Sequence, residues 1–127
     1  MKKLIWVVGV FLIFFGCATP KMIKHERLAI KIIMNSDPPG AKIYDKYGVM
    51  VGTAPYTFTR AWIRQTWDDG DVIYWENEKR SKIGARGEFT GIASKDGYRR
   101  TIIEIPYEFK GKSETIERTI FLRKEGE

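Results

Sequence analysis

Ile102-Ile103-Glu104-Ile105-Pro106-Tyr107-Glu108-Phe109 decides the fold class. Ile103, Ile105, Tyr107 and Phe109 fall on one parity, and Ile102, Glu104, Pro106 and Glu108 on the other. That is the period of two by which a strand sends successive side chains to opposite faces. Pro106 has no N–H to give a ladder, so the pattern predicts an edge strand or a bulge. Upstream, Leu28, Ile30, Ile32 and Met34 alternate with Ala29, Lys31, Ile33 and Asn35 to predict another strand. Ala41–Asp45, Tyr56–Arg60 and Val72–Glu76 are short runs rich in β-branched and aromatic residues, each bounded by Gly, Pro or Asp. Downstream, Lys110-Gly111-Lys112-Ser113 reads as a hairpin turn into Thr115–Leu122, where Ile116, Ile120 and Leu122 share a face. Only Arg60–Thr66 fits a helical turn. Such a succession of strands predicts an all-β chain, a small antiparallel β-sandwich, because one open sheet would leave its apolar face uncovered.

The composition agrees and narrows the chemistry. The chain has 127 residues, 22 of them Lys or Arg and 16 Asp or Glu, with one His and one Cys. One domain is the size limit. A single Cys excludes an intramolecular disulfide and Cys-based zinc clusters, and a single His removes most metal and Ser-His-Asp chemistry. Basic and acidic residues interleave, as in Glu76-Asn77-Glu78-Lys79-Arg80 and Glu114–Arg118, so no basic face for nucleic acid is expected.

The apolar residues concentrate at the start. Met1-Lys2-Lys3 is followed by Leu4–Phe15, twelve residues without a polar side chain, which is the charged and then apolar order of a secretory signal. As a helix that run rises about 18 Å, short of the roughly 30 Å hydrocarbon core, so cleavage is expected rather than a retained span. Phe14-Phe15-Gly16-Cys17 resembles the lipobox of a bacterial lipoprotein signal, which implies removal of 1–16 and lipidation of Cys17. An ordinary cleaved signal with a free Cys is the alternative. Two or three acyl chains make attachment durable where one does not. Ala18 and Thr19 in place of an acidic residue resemble the outer-membrane sorting pattern of a Gram-negative host, so the resemblance places the protein in the cell envelope, lipid-anchored. Residues 17–26 are then the lipidated N-terminus and its tether, including a solvated His25, and 27–127 the folded domain. From Cys17 onward 111 residues remain, with 20 basic against 16 acidic side chains and a net of +4.

The turn chemistry carries a second likeness. Pro39 presets the φ of a type II turn and Gly40 supplies the positive φ that follows, which makes Ser36 and Asp37 turn residues. Ser36-Asp37-Pro38-Pro39-Gly40-Ala41, the strand Lys42-Ile43-Tyr44, the turn Asp45–Gly48, Gly52-Thr53-Ala54-Pro55 and Lys95-Asp96-Gly97-Tyr98 together resemble the PEGA domain over Ile30 to Ile105. The resemblance implies a transthyretin-like or immunoglobulin-like sandwich of a cell-surface adhesion or scaffold module, with no catalytic residue and no cofactor. The extra length between Pro55 and Lys95 is read as an insertion around 62–91.

That insertion holds the candidate contact residues: Trp62, Trp67, Tyr74 and Trp75, beside Asp69 and Asp71. Aromatic faces stack on sugars and carboxylates accept from hydroxyls, so envelope glycan or protein is the expected ligand. A plainer reading makes two of the aromatics core. Asp68-Asp69-Gly70-Asp71 lacks the alternating ligands and terminal Glu of an EF-hand and is read as turn capping, with no metal site expected. Asp69 with Glu76 is the acid pair a glycoside hydrolase would need, one of many that sixteen carboxylates offer. Ile83-Gly84-Ala85-Arg86-Gly87 has no strand-to-helix unit around it and is read as a hairpin loop. The expected function is therefore a non-catalytic lipid-anchored envelope module, with an accessory subunit of a larger membrane complex as the alternative.

Overall fold

The computed structural model describes residues 19–126, so the leader and Cys17 lie outside the described residues. Nine strands follow one another: β1 (Met22–Asp37), β2 (Lys42–Asp45), β3 (Met50–Thr53), β4 (Tyr56–Trp67), β5 (Val72–Glu76), β6 (Lys79–Ser81), β7 (Arg86–Ser94), β8 (Thr101–Glu108) and β9 (Glu114–Phe121). They form two sheets, β6-β5-β4-β1-β9 and β3-β2-β7-β8, and no helix occurs among the described residues. The all-β sandwich expected from the alternation is the fold.

Alternation fixes which faces meet. Ile30, Ile32 and Met34 of β1 are 1%, 0% and 0% exposed while Lys31 between them is exposed, as the period of two requires. The opposing sheet contributes Ile43, Phe89, Ala93, Ile103 and Ile105 to the same core. Aromatic rings cross the gap: Phe58 of β4 lies 5.1 Å from Phe89 of β7, and Trp62 lies flat on Phe109 at 4.5 Å with 1° between the planes. Each large apolar side chain so buried contributes about 1.5–3 kcal/mol.

The turns follow their residue chemistry. Gly40 has φ 89°, and Ser36, buried at the end of β1, donates from Oγ to Pro38 O (2.8 Å) and accepts from Ala41 N (3.2 Å). Lys95 Nζ donates to Pro39 O (2.5 Å), which ties the Lys95–Tyr98 turn to this one. Asp45 Oδ1 accepts from Tyr47 N (2.9 Å) and Val49 N (3.0 Å), capping the β2–β3 turn. Pro106 lies on β8, the outermost strand of its sheet, where the missing N–H is tolerated.

Four expectations are corrected. Met22–Glu26 is not tether: β4 is twelve residues long and offers partners that continue β1 outward, with a bulge between Met22 and Lys24. The polar side chains of Lys24 and His25 are exposed there, which is why no alternation marks the extension. Arg60–Thr66 is the middle of β4 rather than a helical turn, since Arg60 and Trp62 both face inward on a strand paired on each side. Lys110–Ser113 makes no hairpin. It carries the chain across to the other sheet, where β9 pairs in parallel with β1 and seats Ile116 and Ile120 over the shared core, so the sandwich is antiparallel in all but this pair. Ile83–Gly87 likewise crosses between sheets, from β6 to β7, instead of turning a hairpin. Residues 62–91, read as an insertion, form the end of β4, all of β5 and β6, and the first six residues of β7.

Truncating Trp62 to Ala should cost about 3–5 kcal/mol of unfolding free energy in urea titrations. Phe109→Ala should cost less when Trp62 is already gone, by about 0.5–1.5 kcal/mol for the stacked pair. Strictly additive losses would contradict the stacking.

Candidate functional site

Strand parity divides the four aromatics proposed as one surface. Trp62 and Tyr74 point inward and are 2% and 8% exposed, with Tyr74 meeting Phe109 edge-on at 5.2 Å. Trp67 and Trp75 have the other parity and lie half-buried on the outer face of the five-stranded sheet. Two aromatics are thus core, as the plainer sequence reading had it.

Trp75 is held as a platform. Its Nε1 donates to Gln65 Oε1 (2.9 Å), a side chain two rungs away on the neighbouring strand. Ile63 stands directly opposite Trp75 on β4, Arg80 opposite it on β6, and Ile73 opposite Gln65. The outer face here combines a ring fixed by its own hydrogen bond, two aliphatic neighbours and a guanidinium at its rim. Such a surface suits a flat ligand with apolar and hydroxylated faces.

Two of the turn's carboxylates, those of Asp68 and Asp69, are spent on structure. Asp69 and Asp71 sit exposed in the β4–β5 turn, where Asp69 Oδ1 accepts from Asp71 N (3.2 Å). Asp68 Oδ1 accepts from Lys21 N (2.9 Å) and Asp68 N donates to Lys21 O (2.8 Å). Trp67 N donates to Asp71 O (2.9 Å), closing the hairpin. This is the capping arrangement expected of Asp-Asp-Gly-Asp. Among the described residues, no group of three or more His, Cys, Asp or Glu side chains is placed to hold a metal ion.

Glu76 has a different employment. Its carboxylate is bonded by Arg60 Nε, the pair lying on the inner side of the first sheet. Beside it is a cleft of about 340 Å³ bordered by the Asp45–Tyr47 turn, Phe58, Arg60, Phe89 and Tyr107. Gly87 floors it, because a Cβ there would collide with the Tyr107 ring. Burial pushes the Tyr107 hydroxyl above its ordinary value of 10.0, the nearby Arg60 opposes that shift and Glu76 adds to it. Arg60, Gly87 and Tyr107 went unremarked in the sequence as a group, since Arg60 and Tyr107 lie 47 positions apart and no local pattern joins them.

No protein-family model, curated protein or solved structure matches this chain.

Because the folded chain keeps the Tyr107 proton at a pH where the unfolded chain loses it, the stability from this site is present below about pH 10 and drains as pH rises through the raised value. Unfolding free energy should fall on the alkaline side, and Tyr107→Phe should flatten part of that fall. An identical alkaline slope in the variant would contradict the assignment.

Proposed function

We propose that the chain is a non-catalytic, lipid-anchored module of a bacterial cell envelope that binds glycan or envelope protein through the outer face of β4 and β5 around Trp75. The observation that carries this is the platform itself: an indole fixed by Gln65 on an open sheet face, flanked by Ile63 and Ile73 with Arg80 at the rim. A ring already immobilised loses little further entropy when a ligand stacks on it. The anchor rests on the leader Lys2–Phe15 and the lipobox-like Phe14–Cys17, with the outer membrane as its site in a Gram-negative host.

Kinship with the PEGA domain stays part of this proposal. In its favour, the Ser36–Ala41 and Lys95–Tyr98 elements, far apart in sequence, touch through Lys95 and Pro39. A non-catalytic reading is favoured because Glu76 is bonded by Arg60, and Asp68 and Asp69 by backbone N–H groups.

A second reading, an accessory subunit of a larger membrane complex, draws on Ile102 and Phe121. They are 72% and 69% exposed and border one groove between β8 and β9, away from the platform. Co-sedimentation with purified peptidoglycan, beside affinity capture from solubilised membranes, separates the two. The first reading expects retention on glycan that falls about tenfold or more in Trp75→Ala, a loss of about 1.4 kcal/mol, and is unchanged in Ile102→Ser. Stoichiometric protein partners lost in Ile102→Ser but kept in Trp75→Ala, with no retention on glycan, would favour the second and sink the first.

A further inference from the structure

The end of the sandwich from which the leader departs has an apolar surface of its own. β1 enters the fold at Met22, and the β4–β5 turn folds back beside that entry. The two hydrogen bonds between Lys21 and Asp68 clamp the chain at the point where it leaves the fold. Around the clamp, Met22, Ile23 and Val72 are 45%, 68% and 38% exposed, and half-buried Trp67 pairs with Met22. Among the described residues nothing covers this cluster.

We infer that this end of the sandwich rests on the lipid surface, with Met22, Ile23 and Val72 at the boundary between headgroups and acyl chains. The inference builds on the proposed anchoring and adds an orientation to it. The chain itself selects lipid over a protein partner. Cys17 precedes the clamped Lys21 by four residues, a reach of at most about 14 Å when fully extended. The headgroup layer is about 5–8 Å deep on each side, so an acyl chain on Cys17 keeps this end close enough for Ile23 and Val72 to reach the interface. The most apolar run of the sequence, Leu4–Phe15, precedes the same point, so a leader retained in the membrane would bring the same end to the bilayer.

Charge sets the kind of lipid. Lys24 is bonded to Glu26 at 2.5 Å, Arg64 stands opposite Glu26 on β4, and Lys21 lies beside the turn that carries Asp68, Asp69 and Asp71. Cations and carboxylates are mixed here with no basic cluster for anionic headgroups, so contact depends on apolar insertion next to the anchor. With β1 rising from the surface, Asp37 stands about 50 Å along the strand from Met22. Phe121 pairs with Asp37, so the Ile102–Phe121 groove points away from the membrane while the Trp75 face looks sideways along it.

The test uses the full acylated chain in phosphatidylcholine vesicles, with a nitroxide placed in turn at Ile23→Cys, Val72→Cys and Ile102→Cys. Cys17 is the only natural Cys and its sulfur is blocked by the thioether to diacylglyceryl, so each label is unique. All three positions are exposed, and circular dichroism verifies that the fold is kept. In power saturation, labels at 23 and 72 should show an oxygen-to-nickel accessibility ratio several-fold above that at 102, and adding anionic lipid should not raise it. Vesicle-bound protein whose labels at 23 and 72 are as accessible to nickel as the one at 102 would overturn the orientation alone. Protein that fails to sediment with the vesicles would overturn the anchoring and the orientation together.

Discussion

Pairing of β1 on both of its edges is the constraint on which the structure depends. Along one edge it is matched to β4 from Met22 to Met34, and along the other to β9 from Ile30 to Asp37. The inward residues of that stretch, Ile30, Ile32 and Met34, are the floor onto which the second sheet packs. A β1 slipped by one residue would turn Lys31 and Asn35 into the core and Ile32 and Met34 out of it, so the register is held by the whole buried face. Because the same strand begins five residues after Cys17, any pull from the proposed anchor passes into β1.

Much of this was legible residue by residue. Alternation in Leu28–Asn35 and Ile102–Phe109 identified two strands and their buried parity, because one face of each meets a core and the other meets water. Turn residues located the ends of β2, and Pro106 announced an edge. What a strand pairs with is a different matter. Lys110–Ser113 has the composition of a hairpin turn, yet β9 takes its place beside β1, since the free edge of a long, half-buried strand outweighs a local turn preference. The outward growth of β1 to Met22 was equally silent, because exposed strand ends need no apolar alternation.

The candidate site shows the same division. Composition marked Trp62–Trp75 as chemically dense, and parity along β4 and β5 then sent Trp62 and Tyr74 into the core and left Trp67 and Trp75 outside. A spacing of an odd number of residues on one strand already implies opposite faces: Trp62 and Trp67 differ by five. The bond from Trp75 to Gln65 and the ion pair from Arg60 to Glu76 join neighbouring strands, and their register is fixed by the fold rather than by the local sequence. The acidic turn behaved as its Asp and Gly content dictates, since short carboxylates bond nearby backbone N–H groups before they gather around anything else.

The proposed role depends on one covalent fact about the N-terminus, and mass spectrometry of the N-terminal peptide of protein purified from membranes tests it most directly. The account predicts a peptide that begins at Cys17, carries diacylglyceryl and acyl mass, and has nothing of 1–16 before it. A peptide retaining Lys2–Gly16, or one beginning at Cys17 with an unmodified thiol, would contradict it.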